Sequence, residues 1–193
     1  MSTVIPLFPL STVLFPDGPL RLRIFEARYL DMIGRCLREG TGFGIALIVE
    51  GREAGGPART VTVGTVARVV DFEQLEGGLL GITALGERRF DISSVSRQSD
   101  GLNLAEMQWH AAEPQVAVPE KHAILADLLK QALVQLEAVY AVVTPHFEDA
   151  TWVGMRLAEI LPLPMPERQQ CLEMTDAVER LDFLRDRLDI RSG

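Results

Sequence analysis

The chain has 193 residues, 47% of them hydrophobic and 24% charged, with a formal net charge of −8. That length suits one domain or two small ones able to bury about 70% of the unfolded surface, and the balance is that of a soluble globular protein rather than a disordered one. The acid excess disfavours DNA and RNA, whose phosphates reward clustered Lys and Arg, and no apolar run approaches the roughly 20 residues that cross a bilayer.

The first element is a proline-punctuated stretch running from Ile5-Pro-Leu-Phe-Pro-Leu10 through Phe15-Pro-Asp-Gly-Pro19 to Ile24. Pro6, Pro9, Pro16 and Pro19 lack the donor a sheet ladder needs, so each belongs at a strand start, an edge or a turn. Asp17-Gly18 is a turn pair. Leu20, Leu22 and Ile24 alternate with Arg21 and Arg23, which predicts a half-buried strand closed by Phe25. Tyr29, Leu30, Ile33, Cys36 and Leu37 then recur at helical spacing, predicting a helix from Ala27 to Arg38 ended by Gly40.

Strands resume at Gly42, and Gly51 to Pro57 reads as an exposed loop. Val61 and Val63 open a strand whose apolar phase moves to Val66 and Val70 after Gly64, as a bulge would make it. Glu76-Gly-Gly78 joins that strand to one over Leu79 to Leu85, and Asp100-Gly101 joins Phe90 to Gln98 with Leu102 to Trp109. Strands at this spacing predict a small curled sheet or barrel.

After about residue 112, at Glu113-Pro-Gln-Val-Ala-Val-Pro119, the periodicity turns helical. Ile124, Leu125, Leu128, Leu129, Leu133, Leu136, Val139 and Tyr140 predict one long helix from near Pro119, ended or interrupted by Pro145. Val153, Leu157, Ile160 and Leu161 predict a second, stopped by Pro162 and Pro164. Asp176 with Glu179 predicts the capped start of a last helix bearing Leu181, Leu184 and Leu188. The expected architecture is α+β: a β-rich subdomain with one helix over residues 1–112 and an antiparallel helical bundle over 113–193.

Nothing in the pattern supplies a reaction centre. No G-x-S-x-G elbow or G-x-x-x-x-G-K-[ST] loop occurs. The histidines His110, His122 and His146 fall on different segments without a helical i, i+4 partner, and Cys36 and Cys171 stand far apart, so neither a metal site nor a redox dithiol is expected. Arg88, Arg89 and Arg97 are interleaved with Glu87, Asp91 and Asp100, a mixed surface rather than a basic patch. Glu148-Asp149 reads as the polar start of the helix at Thr151, and Asp127, Glu137 and Glu159 as solvated helix faces. No catalytic residue, cofactor or metal is expected.

What remains is recognition. Phe8, Phe15, Phe25, Arg28 and Tyr29 lie in or beside the proline-rich opening, where an apolar groove and a strand edge would suit an extended peptide. The plainer account makes the aromatics the seam between strands and helix, and Arg28 a partner for a carboxylate or carbonyl. Trp109 and Trp152 are further candidate anchors.

The opening segment, together with Gly42 to Val49, Val63 to Val70, Gly86-Glu-Arg-Arg-Phe90, Leu161 to Glu173 and Glu179-Arg-Leu181 in that order, resembles the Lon protease N-terminal domain family over roughly residues 4 to 190. The resemblance is to its short, free-standing form without ATPase and peptidase parts. Asp17 departs from it where a second glycine is common. The resemblance implies a PUA-like barrel in the first subdomain, and a non-catalytic substrate-binding module whose partners are unfolded or tagged polypeptides, with a protease or chaperone complex as a further candidate. RNA or nucleotide binding by a PUA-like fold is the alternative, resting on fold analogy alone. The N-terminal Met1-Ser-Thr-Val carries no secretory pattern, so a cytoplasmic location is the default. Homo-oligomerisation through a bundle face stays open.

Overall fold

The computed structural model describes residues 3–53 and 58–188; residues 54–57, within the loop expected over Gly51 to Pro57, lie outside it. The chain divides into two compact units, Met1–Ala111 and Ala112–Gly193.

In the first unit, β1 (Thr3–Leu10), β2 (Pro19–Ile24), α1 (Ala27–Glu39), β3 (Phe43–Glu50), β4 (Arg59–Thr60), β5 (Val63–Gln74), β6 (Leu80–Arg97) and β7 (Asn103–Trp109) follow in chain order. The strands run β1-β7-β6-β5-β3-β4, and β1 also pairs in parallel with β3, which closes the curled sheet into a pseudo-barrel. The prolines of β1 are tolerated because the strand changes partner at Leu7. Residues Thr3 to Leu7 pair with β7, and Leu7 to Leu10 pair with β3. Among the described residues each half is therefore an edge on its other side, where a missing N–H leaves no gap in a ladder.

The two strands placed over Leu79 to Leu85 and Phe90 to Gln98 are one continuous strand, β6, and Gly86 lies inside it. Gly86 reads as a break, yet its lack of a side chain serves a close approach: a Cβ there would stand 2.0 Å from the Phe15 carbonyl oxygen. The Asp17-Gly18 turn docks at that point, with Asp17 N–H donating to Gly86 O at 2.8 Å and Gly86 N–H to Gly18 O at 2.9 Å. Asp17 adopts φ 57°, the left-handed turn geometry that Asp tolerates. On one side of this docking point β6 pairs with β2, and beyond it with β7. The apolar phase change in β5 coincides with ladder irregularities between Thr65 and Ala67 and between Val69 and Asp71.

α1 ends as its sequence predicts, with Gly40 in the left-handed region at φ 65°. Its buried face presents Tyr29, Met32, Ile33 and Cys36 to Phe8, Leu10, Ile24, Phe43, Ile45 and Ile82. Each such fully buried side chain stabilises the fold by roughly 1.5–3 kcal/mol. Leu7, Ala46, Val66, Phe90, Ala105 and Met107 form a second cluster.

The second unit contains α2 (Ala123–Gln135), α3 (Glu137–Tyr140), α4 (Ala150–Ile160), α5 (Met165–Glu173) and α6 (Ala177–Arg187). α4 is its centre, buried on every side from Trp152 to Ala158 and contacted by α2, α5 and α6. The single long helix expected from Pro119 is instead a 3-10 turn (Glu120–His122), then α2, then a break at Leu136 (φ −105°, ψ 15°), then the short α3. The helix gives way nine residues before Pro145, and Ile124 and Val134 face solvent. Asp149 and Asp176 cap α4 and α6, accepting backbone N–H bonds from Thr151 and from Val178 and Glu179.

Glu159, expected on a solvated helix face, is interior, and so is Arg180. Glu159 is not a solvated face: its side chain is 16% exposed and stands 3.1 Å from the fully buried Arg156. Burial pushes its carboxyl above the usual carboxylate range, opposed by Arg156 and by a hydrogen bond from Tyr140. Arg180 of α6 is fully buried, donates from Nε to the Cys171 carbonyl at 2.8 Å, and grips both carboxylate oxygens of Glu113 at 2.9 and 2.7 Å. Glu113, which reads as linker, is thus a buried partner of the bundle.

Candidate peptide-binding surface

The surface is assembled where β2 hands over to α1. The chain leaves the sheet at Ile24 and turns through Phe25-Glu26, with Glu26 extended (φ −85°, ψ 132°) at the helix start. That turn leaves Phe25 62% exposed. Beneath it, Phe8 of β1 and Tyr29 of α1 stack with ring centroids 3.9 Å apart and planes 18° apart. The two rings floor a cleft of about 140 Å³ that Leu10, Leu22 and Phe25 also line, with Arg21, Arg23, Glu26 and Glu53 as its charged margin. Among the described residues β2, which supplies Arg21, Leu22 and Arg23 to the cleft, has β6 as its strand partner. An apolar cleft beside a strand is the geometry that receives an extended peptide.

Of the five residues singled out in the sequence, the structure brings Phe8, Phe25 and Tyr29 together in this cleft. Phe15 is fully buried and does not line it. Arg28 sits under the surface: its guanidinium donates to the Gly101 carbonyl at 2.7 Å, meets Glu26 at 2.8 Å, and lies 4.7 Å over the Tyr29 ring. It pins the start of α1 to the turn between β6 and β7. Burial raises the Tyr29 phenol above its ordinary value, and the Arg28 charge opposes that rise, so Tyr29 presents a neutral ring.

The sequence pattern does not single out Phe72. The register sets Leu22 opposite Ile82 and Ile82 opposite Phe72, so the three share one sheet face, and Phe72 is 64% exposed. The pairing of β5 with β3 ends at Ala67, and among the described residues Asp71 to Gln74 pair with β6 alone. There Asp71 accepts the Phe72 N–H through its own carboxylate at 2.8 Å. A lone Phe between Asp71 and Glu73 carries little signal; its two-residue step from Val70 is the clue.

The remaining candidates are dispersed. Among the described residues no group of three or more His, Cys, Asp or Glu is placed to hold a metal. His110 pairs with Asp91 at 3.0 Å, and His122 with Asp182 at 3.1 Å. Both cysteines are buried, and burial pushes the Cys171 thiol up to about 11. Arg89 is buried, Arg88 lies 4.6 Å over the Trp109 ring, and Arg97 bonds the Gly101 carbonyl, so the three arginines serve separate contacts. Trp152 is buried against Phe147, ring centroids 5.3 Å apart. Among the described residues no helix is long and apolar enough to cross a membrane.

A Lon protease of Anaeromyxobacter dehalogenans is 25% identical over 197 residues, a match covering 98% of this chain and 23% of that protein. The chain thus spans about a quarter of the length of the curated relatives it matches. The crystal structure of a Lon N-terminal domain protein from Xanthomonas campestris superposes with a TM-score of 0.79 at 34% identity, covering 95% of this chain and 98% of that one. The N-terminal domain of a Mycobacterium avium complex Lon protease shares the fold, with a TM-score of 0.67 at 20% identity over 98% of this chain and 100% of that one. The family model for the ATP-dependent protease La (LON) substrate-binding domain matches residues 4–189, and the chain therefore belongs to that family, in its substrate-binding rather than its catalytic part.

Proposed function

We propose that this chain is a non-catalytic polypeptide-recognition module. The observation that carries the reading is Phe25, exposed beside the stacked Phe8 and Tyr29 and next to β2. Family membership supplies the class of ligand, and the cleft supplies a place for it. Unfolded or tagged polypeptides are its partners, in a cytoplasmic setting, with delivery to a protease or chaperone complex as the consequence of binding. Residues 1–112 and 113–193 act as two subdomains, the first carrying this cleft. Phe8 and Tyr29 form the floor, Phe25 the solvent-side contact, and Arg28 holds the floor in place.

Fluorescence anisotropy with a labelled, permanently unfolded model protein tests this. Binding in the micromolar range is expected, weakened about tenfold by Phe25→Ser, the change expected for one apolar anchor. The same variant should unfold at an unchanged temperature, because the ring is exposed. Absence of binding by the unaltered protein at high micromolar concentration would sink the reading.

A further inference from the structure

The hairpin that joins β5 to β6 combines an exposed aromatic ring, acidic charge and open backbone. From Val69 to Gly86 it carries Asp71, Glu73 and Glu76 and no Lys or Arg. Asp71 to Gln74 are all exposed, Phe72 at 64%, and among the described residues they pair with β6 alone. Arg21 and Arg23 lie in the same cross-strand rows as Asp71 and Glu73, with Thr83 and Gly81 between. They are therefore two strands away, about 10 Å.

The ladder fixes the direction of each peptide group. Leu75 N–H donates to Leu79 O at 2.8 Å, and the register then runs without a shift from Gln74 opposite Leu80 to Asp71 opposite Thr83. Bonded and non-bonded positions alternate along an antiparallel pair. Glu73 and Asp71 thus bond to β6, whereas Gln74 and Phe72 turn their N–H and C=O groups to the open edge. The Phe72 N–H fits this assignment, since it donates to the Asp71 carboxylate at 2.8 Å. An added strand must take that N–H over.

The exchange selects the occupant. A peptide carbonyl can replace the carboxylate at the Phe72 N–H, and the displaced carboxylate then needs a cation. Asp71 and Glu73 stand on one face of the strand and Phe72 on the other. A strand laid alongside meets them with Lys or Arg on the first face and a bulky apolar residue on the second. We infer that the Asp71–Gln74 edge of β5 receives, by strand addition, an extended polypeptide segment in which Lys or Arg alternates with bulky apolar residues. The class of ligand rests on the polypeptide reading above, which this narrows; the place rests on the edge and not on the Phe25 cleft.

The test is a titration of the full chain, nitrogen-15 labelled, with an acetylated and amidated decapeptide alternating Lys and Val, followed by amide hydrogen exchange in NMR. At saturation the Phe72 and Gln74 amides should slow about tenfold, while those of Asp71 and Glu73, already bonded to β6, should not change. The same peptide with Glu for each Lys should bind about tenfold more weakly, and Glu73→Lys combined with Glu76→Lys should reverse that preference. Phe72→Ser should weaken the Lys peptide, and Phe25→Ser should leave it unchanged. Unaltered exchange at Phe72 and Gln74, while an unfolded model protein still binds in a Phe25-dependent way, would overturn the edge and spare the cleft. Binding of neither ligand would overturn both. Equal protection by the Lys and Glu peptides would overturn the basic occupant. Protection that grows with protein concentration in the absence of peptide would overturn it in favour of a second copy of the chain, paired edge to edge.

Discussion

Glu113→Ala should be among the most damaging single substitutions in the second unit, although sequence alone places Glu113 in a linker. Its carboxylate is 4% exposed and bidentate to Arg180, which is fully buried. Removing it leaves a guanidinium inside the bundle whose remaining partners, among the described residues, are the Cys171 and Met174 carbonyls. Breaking a buried pair from one side costs about 3–5 kcal/mol, because an uncompensated charge stays behind. Replacing both residues with methionine removes the charge as well; the Cys171 and Met174 carbonyls then lose this donor, but exchanging a buried ion pair for apolar residues of similar volume is often neutral or stabilising. The double variant should therefore be more stable than Glu113→Ala, the opposite of additivity. Urea unfolding monitored by Trp152 fluorescence, in a Trp109→Phe background so that only the second unit reports, measures all three proteins. A cost below about 1 kcal/mol for Glu113→Ala would refute the reasoning, since it would mean that water reaches Arg180 without loss.

Three further outcomes concern a buried imidazole, a crowded glycine and two helix caps. Burial lowers the pKa of His122 despite Asp182 at 3.1 Å; unfolding then takes up a proton, so its contribution is present above the ordinary imidazole range near 6.5 and is lost as pH falls below it. Stability measured by urea titration should drop from pH 7 to pH 5, and His122→Gln should flatten that slope. Gly86→Ala should cost about 3 kcal/mol or more, because the new Cβ meets the Phe15 carbonyl at 2.0 Å; an unchanged melting temperature would show that the Asp17-Gly18 turn can lift away. Asp149→Ala and Asp176→Ala should each cost about 1 kcal/mol through the lost cap, additively in a double variant, as read by thermal unfolding.

The fold was legible wherever local chemistry and tertiary demand agree. Tyr29, Ile33 and Cys36 repeat at helical spacing and Gly40 stops them; Asp176 caps the last helix; the phase change after Gly64 is a bulge. Reading failed where one residue type serves two ends. Gly86 looks like a strand terminator but accommodates a carbonyl, so one long strand reads as two. Leu136 continues an apolar stripe that the backbone abandons, with no proline or glycine to mark it. Arg180, Glu113 and Glu159 carry charges that belong in water until a partner on another segment makes burial tolerable. The cleft was half legible for a related reason: aromatic residues clustered in the sequence announce packing, and only the tertiary arrangement distinguishes the buried Phe15 from the exposed Phe25. Phe72 joins them through register alone, ten residues before Ile82 in the chain and directly across from it in space.

The partner change of β1 at Leu7 also bears on how the protein is made. Within its unit β1 is made before the other strands; it is tied along one half to β3, which emerges within about forty residues of it, and along the other to β7, the last strand of that unit. Until β7 emerges, the segment from Thr3 to Leu7 waits as an open ladder, the state in which nascent chains stick to one another. Pro6 stands in the middle of that waiting half and Pro9 in the other, each withholding a donor from any intruding strand. The residues that make β1 look least like a strand thus guard it while the barrel is still unclosed.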